Sequence, residues 1–257
     1  MEATEMERVI NEFDAAHQRG EYFPKAWYSK LSLDEAYRIQ LALIARRCAR
    51  EGQRRVGWKV GLTAPVIQEQ FGFKEPVFGC LLEKGLIRTG HVFRHADIMG
   101  PGFENELCIR LARDVAPGAP LAEITNAIGF IHPALEIVET RGDFVSQIAL
   151  AMADNAQQHS FVIGPPALHV DPSILPQVVA TVRVNGDEVG SGKGEAVLGH
   201  PLNSIAWLAG KLAEFGEKLS AGDFIMTGSF TRQFPLKPGD KVETTFEGLG
   251  KVTAEFA

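Results

Sequence analysis

A chain of 257 residues, 45% hydrophobic and 23% charged, has ordinary globular composition. It is long enough to bury roughly 70–75% of its unfolded surface without disulfide staples. A net charge of -6 and a pI of about 5.7 disfavour nucleic acid and anionic membrane surfaces as partners. The three separated cysteines, Cys48, Cys80 and Cys108, form neither a disulfide framework nor a C-x-x-C zinc cluster. An anionic substrate would need a local positive charge, and a bound metal would supply one.

The first residues are acidic and amphipathic, without the basic start and apolar run of a signal peptide. No stretch approaches the roughly 20 apolar residues of a membrane span. The expectation is a cytoplasmic protein. Met6, Val9, Ile10, Phe13 and His17 recur at helical spacing and predict a helix over 3–19. Ser32 and Glu35 form a capping box ahead of Ala36, Ile39, Leu41, Leu43, Ile44 and Cys48, and Gly52 supplies a left-handed stop. Two N-terminal helices follow from this pattern.

Beyond them Val56 to Leu62 reads as a strand and Pro65 to Phe71 as a short helix. From residue 77 the runs shorten and become β-like. Strands are expected at 86–88, 103–111, 129–139, 178–184, 223–227, 241–246 and 250–256, and helices at 121–127, 143–153 and 201–215. This order lacks the regular βαβ alternation of a Rossmann sheet. Residues 1–76 read as a helical region with a first strand and 77–257 as a catalytic β domain, or the whole chain as one domain.

The chemistry concentrates in a few side chains. Glu104 and Glu106 sit at i and i+2 on an expected strand, so both carboxylates face one side. Like charges at that spacing repel, and a hard divalent cation ligated by oxygen relieves them. The plainer reading is a solvated strand face. Glu136, inside the apolar run Gly129–Glu139, needs a partner if buried. With it the set has three oxygen donors, typical of Mg²⁺ or Mn²⁺. Glu139 competes for the third position, although it faces the other way on a regular strand and Arg141 is close enough to pair with it. Lys59, between glycines and apolar strand residues, reads as a partly buried amine whose pKa burial lowers, or as a snorkelling lysine.

Asp154-Asn155 and Gly228-Ser229-Phe230-Thr231-Arg232 are polar clusters with turn and capping roles as the default. Gly190–Glu195 is not a phosphate loop, because Gly194 stands where Ser or Thr belongs. A glycine-rich hairpin or a substrate-side loop fits it better. His132, His159 and His200 are scattered, and structural roles suit them. Cys80 and Cys108 give a thiol nucleophile little support.

Taken together, GWKVGLT (57–63), EPVFGCLLE (75–83), FENEL (103–107), HPALEIVETR (132–141), DNA (154–156), VLGHPLNSIAWLA (197–209) and IMTGSFTR (225–232) carry a resemblance over nearly the whole chain. The chain resembles the 2-oxopent-4-enoate hydratase / 4-oxalocrotonate decarboxylase family, a branch of the fumarylacetoacetate hydrolase superfamily. The resemblance implies an α+β fold, a mixed β-sandwich roll with a small N-terminal helical region. It implies Mg²⁺ or Mn²⁺ on Glu104, Glu106 and Glu136, with Lys59 as the catalytic lysine. It also implies Leu82, Ser160, Ser229, Phe230 and Thr231 at a small 2-oxo acid substrate, a homo-oligomer, and a complex with a sister enzyme of aromatic meta-cleavage catabolism. Hydratases of this family often carry an acid where Val77 stands, which points to a decarboxylase, whereas the GSFTR segment looks like the hydratase branch. The expected activity is hydration of a 2-hydroxy-2,4-dienoate, with decarboxylation of a 4-oxalocrotonate-like diacid as the runner-up. A non-catalytic stabilising partner is a third reading. Its support is the amphipathic N-terminal helix alone, and the three glutamates with Lys59 argue against it.

Overall fold

The computed structural model describes residues 1–64, 68–69 and 73–257. The helices are α1 (Ala3–Gln18), α2 (Leu33–Glu51), α3 (Leu121–Ala127), α4 (Ile148–Ala153) and α5 (Pro201–Ala213). The strands are β1 (Arg55–Gly61), β2 (Val77–Leu82), β3 (Leu86–Arg88), β4 (His91–Phe93), β5 (Pro101–Leu111), β6 (Ile128–Glu139) and β7 (Gln158–Ile163). They continue with β8 (Val179–Val184), β9 (Asp187–Lys193), β10 (Phe224–Ser229), β11 (Phe234–Pro235), β12 (Asp240–Phe246) and β13 (Gly250–Phe256).

The N-terminal helices form where the apolar spacing places them. α1 buries Val9, Ile10, Phe13 and Ala16. α2 opens on the expected capping box: Glu35 N–H donates to Ser32 Oγ and Ser32 N–H to Glu35 Oε2. It stops at Gly52 in the left-handed region. α2 packs on the outside of an eight-stranded mixed sheet with the order β2-β1-β10-β5-β6-β7-β3, with β11 also on β5, and α1 packs against α2.

That sheet curls until β2 approaches β7. Its concave face encloses a small core of Leu81, Cys108, Ala134, Phe161, Ile163 and Met226. Its convex face carries Trp58, Phe78, Leu107, Ile109, Leu135 and Ile137 into a larger core shared with the helices. A second sheet, β4-β13-β12-β8-β9, packs against β6 through β12 and β13. This is the expected α+β roll with a small helical region at its N-terminus. Among the described residues, no helix is long and apolar enough to cross a membrane.

Several elements depart from the sequence pattern. The helix expected over 143–153 shrinks to α4: Asp143 Oδ1 accepts from Ser146 N–H in a local turn, and Gln147 has non-helical angles. β2 is buried at every position, so it shows no period-two signal. β4 and β11 are too short to read. The glycine-rich segment is the second arm of a hairpin, β8–β9, turning at Asn185-Gly186 with both φ positive. The short helix read over Pro65–Phe71 falls outside the described residues except at Gln68 and Glu69.

Ser32→Ala removes one side of the capping box and leaves the roll untouched. It should cost about 1 kcal/mol, a fall of roughly 2–4 °C in Tm, measured by thermal denaturation.

Candidate metal centre

β5 and β6 pair antiparallel over their full length, and their register sets Glu104 directly opposite Glu136 and Glu106 opposite Ala134. Alternation sends Glu104, Glu106 and Glu136 to the concave face. The small Ala134 leaves space beside Glu106. One oxygen from each of the three glutamates can be chosen so that all lie within 4.8 Å of one another. Glu106 and Glu136 are fully buried, and Glu104 is partly buried.

Two further strands complete the cluster. β10 carries an irregularity between Met226 and Ser229, where Gly228 takes φ 111°. Its amide turns inward and donates to Glu106 Oε2 at 2.7 Å. A Cβ at Gly228 would lie 2.3 Å from Thr63 Oγ1, so a side chain there meets both backbone strain and a clash. β1 lies beside β10 and brings in Lys59, whose Nζ is 3.2 Å from Glu136 Oε1. The two form a buried ion pair. Among the described residues, Glu106 Oε1 and Glu136 Oε2 are buried with no hydrogen-bond donor.

Three carboxylates facing one ammonium leave an excess of buried negative charge. Burial, then the neighbouring Glu136 charge, pushes Glu104 up to about 7, against the pull of Lys59. Glu106 is raised well above the ordinary carboxylate range by burial and by Glu136 and Glu104. Burial alone would lower Lys59, as the sequence suggested. Here Glu136, Glu104 and Glu106 outweigh it and raise the pKa, so Lys59 is an ammonium. The orphaned oxygens, the all-oxygen donor set and the surplus negative charge fit a hard divalent cation such as Mg²⁺ or Mn²⁺.

Glu139 is not part of this cluster. It lies on the convex side, accepts from Met99 N–H at 2.9 Å, and pairs with Arg141, which also donates from Nε to Asp154 Oδ2 at 2.6 Å.

The residues expected at the substrate divide. Ser229 stands opposite Glu106 in the β10–β5 register, and its hydroxyl donates to Asn105 C=O at 3.3 Å. The Phe230 ring is buried in the core, edge-on to Phe246. Thr231 Oγ1 accepts from the Asn105 side-chain amide.

The fold does not bring Leu82 and Ser160 to the carboxylates. In β2 the neighbour Leu81 fills the concave core, so Leu82 points outward; in β7 Ser160 pairs with Ile137 while Phe161 pairs with Glu136. Both line a separate cavity of about 440 Å³ between the roll and α1–α2, with His17, Gln40, Arg141 and Asp154 among its walls. The physical reason is period-two alternation, which sequence proximity to a site does not reveal.

The histidines have structural posts. His132 Nδ1 bonds Gly164 C=O, His159 meets Ser160 Oγ, and His200 Nδ1 caps α5 by accepting from Leu202 N–H. Burial pushes the Cys80 thiol up to about 12 and raises Cys108 too, so neither is an activated nucleophile. Sequence reasoning overlooked Thr63, wedged against Gly228, and Gly79, which faces Lys59 across the β1–β2 pair. Both lie inside the motifs quoted above, but a buried threonine and a strand glycine carry no chemical signal of their own.

The chain is similar to known proteins over most of its length. Residues 60–257 match the family model described as fumarylacetoacetate (FAA) hydrolase C-terminal. The chain is 34% identical over 231 residues to a 4-oxalocrotonate decarboxylase from Pseudomonas putida, covering 89% of this chain and 87% of that one. It is also 34% identical over 231 residues to a 2-keto-4-pentenoate hydratase from Paraburkholderia xenovorans, covering 89% and 86%. Among solved structures, 4-oxalocrotonate decarboxylase from Pseudomonas putida G7, complexed with magnesium and adipate, superposes with a TM-score of 0.89 at 31% identity, covering 100% and 99% of the two chains.

Two predictions arise from the cluster. Glu104 at about 7 stands above its ordinary 4.5, and Asp154 at about 7 stands above 3.8. Raised carboxylates stabilise the fold when protonated, and that contribution is lost as pH rises through the folded value. The metal-free protein should therefore lose melting temperature as pH rises from about 4.5 to just above 7, with Mg²⁺ restoring part of the loss. A flat or rising profile would contradict the raised pKa values of the buried Glu104 and Asp154. Saturating Mg²⁺ at about 100 times its Kd should add about 2.7 kcal/mol of stability to the native protein. In Glu106→Gln that gain should be largely lost while the circular dichroism spectrum is unchanged.

Proposed function

The chain belongs to the fumarylacetoacetate hydrolase family, and from that membership we propose that it is a metal-dependent hydratase, adding water to a 2-hydroxy-2,4-dienoate to give a 4-hydroxy-2-oxo acid. The observation that carries the chemistry is the buried set Glu104, Glu106 and Glu136 with the Lys59 ammonium 3.2 Å from Glu136.

Mg²⁺ or Mn²⁺ held by the three glutamates would supply a Lewis acid that stabilises negative charge developing on the substrate's 2-oxygen. The chain's own groups do the rest. The Gly228 amide fixes Glu106 in orientation, and the buried strands exclude bulk water, which strengthens every charge interaction inside. Lys59 holds the proton to be given to C5 of the dienol, and the amine so formed accepts the proton of the 2-hydroxyl. The product is a ketone conjugated with the C3–C4 double bond, and water adds across that bond with its oxygen at C4.

One observation favours the second reading, decarboxylation of a 4-oxalocrotonate-like diacid. Val77 pairs with Gly61, and a Cβ at Gly61 would lie 3.3 Å from Val77 Cγ2 and 3.5 Å from Lys59 Nζ. Position 77 thus borders the ammonium, where an acid would be placed to direct water, and valine has none to offer. The same electron sink at C2 would accept the pair released when CO₂ leaves. A homo-oligomer belongs to the same proposal, with the exposed Phe130 and Leu168 as apolar surface for it. A complex with a sister enzyme rests on the family resemblance alone.

A paired assay on 2-hydroxypenta-2,4-dienoate and 4-oxalocrotonate, with Mg²⁺ and then with EDTA, separates the readings. Hydration predicts loss of dienol absorbance without CO₂. CO₂ release from the diacid establishes decarboxylation instead, and no metal-dependent turnover of either compound rejects both. Lys59→Met should lower kcat by about 10²-fold or more on whichever substrate is turned over, with Mn²⁺ still bound.

A further inference from the structure

The segment after α4 turns with unusual handedness. Asn155, Ala156 and Gln157 have φ of 54°, 49° and 57°. Left-handed backbone is sterically disfavoured for a residue with a Cβ, so three in succession need a strong reason.

The contacts of Asn155 supply one. β2 ends the eight-stranded sheet, and beyond it lies the side chain of Asn155. Asn155 Oδ1 accepts from Cys80 N–H at 2.7 Å and Asn155 Nδ2 donates to Cys80 C=O at 2.9 Å. These are the two bonds a neighbouring strand would make. β7 begins directly after the turn at Gln158, so the asparagine fastens the free edge of β2 to the far side of the curled sheet. Asp154, at the head of the turn, is anchored by Arg141 through its carboxylate and its carbonyl.

Beside Cys80 stands Gly79, the β-ladder partner of Lys59. A Cβ at Gly79 would lie 3.1 Å from Asn155 C=O, 3.3 Å from Asn155 Oδ1 and 3.2 Å from Lys59 Cε. The lysine stem therefore runs through a slot walled by the bare Cα of Gly79 and by the asparagine. From that slot Nζ reaches Glu136.

We propose that Asn155 is a positioning residue for Lys59: its left-handed turn closes the seam between β2 and β7 and, with Gly79, sets the slot that aims the ammonium at the carboxylate cluster. The proposal rests on the reading of Lys59 as the proton carrier, and its test has one arm that does not require turnover.

The decisive variant is Gly79→Ala. Its methyl would lie 3.2 Å from Lys59 Cε and 3.1 Å from Asn155 C=O, so the flexible lysine end shifts and the turn gives by a few tenths of an ångström. In the full-length protein kcat should fall by about 10²-fold. KM and the Mn²⁺ dissociation constant should stay near wild type, because a misaimed proton donor affects the transition state more than ground-state binding, and Tm should fall less than in Asn155→Ala. Asn155→Ala should lower kcat similarly and also lower Tm, since two buried hydrogen bonds are lost. In metal-free protein carrying ¹³C-labelled lysine, the Lys59 Cε resonance, identified by its loss in Lys59→Arg, should shift in both variants. An unmoved resonance in Gly79→Ala overturns the proposal, as does wild-type kcat there or a fall in kcat matched by lost Mn²⁺ binding and Tm. Should the wild type turn over neither substrate, the functional reading fails and the resonance alone decides the positioning.

Discussion

Three carboxylates buried together are the constraint on which the rest of this structure turns. Charges this close repel by roughly 3 kcal/mol per pair at an effective dielectric of about 20. Removing each from water adds several kcal/mol more. One ammonium offsets part of that, and one backbone amide a little more. A fold that keeps Glu106 and Glu136 wholly out of solvent under this load is organised for a cation, because a protein selected only for stability would replace them with apolar side chains at a gain.

The architecture meets the load by rigidity. Two long, fully paired strands, β5 and β6, hold the glutamates, and each strand is flanked by another. β10 contributes the irregularity that turns the Gly228 amide inward, and β1 brings the lysine to the same place. Repelling groups on loops would drift apart into solvent. On the concave face of a curled sheet they have nowhere to go. The enclosed apolar core beside them, Leu81, Phe161, Ile163 and Met226 among it, keeps the local dielectric low and so magnifies both the repulsion and the attraction for a metal.

The convex side shows the opposite electrostatic solution. There Arg141 lies between Glu139 and Asp154, each ionic group is paired, and no cation beyond the protein's own is needed. Two acidic groups three residues apart in one strand, Glu136 and Glu139, thus serve unrelated ends because they emerge on opposite faces. The arginine cluster anchors the turn carrying Asn155, so the convex side supports the concave one mechanically without sharing its chemistry.

The sequence by itself determined what local patterns encode. The Ser32–Glu35 box, the apolar stripes of α1, α2 and α5, and the alternation around Glu104 and Glu106 are legible because their partners lie within a few residues. The family motifs extended that reading to the α+β roll, to divalent metal and to lyase chemistry. Only the tertiary structure decided the rest, because it depends on groups far apart in the chain. The buried strand β2 has no periodicity to announce it. The ionisation of Lys59 is set by three glutamates lying 45 to 77 positions further on, which reverse what burial alone would do. The separation of Leu82 and Ser160 from the carboxylates follows from which way each strand faces once the sheet curls. Sequence names the groups that can ionise or coordinate, whereas their distances and shared faces, which govern electrostatic energy, exist only after the strands have paired.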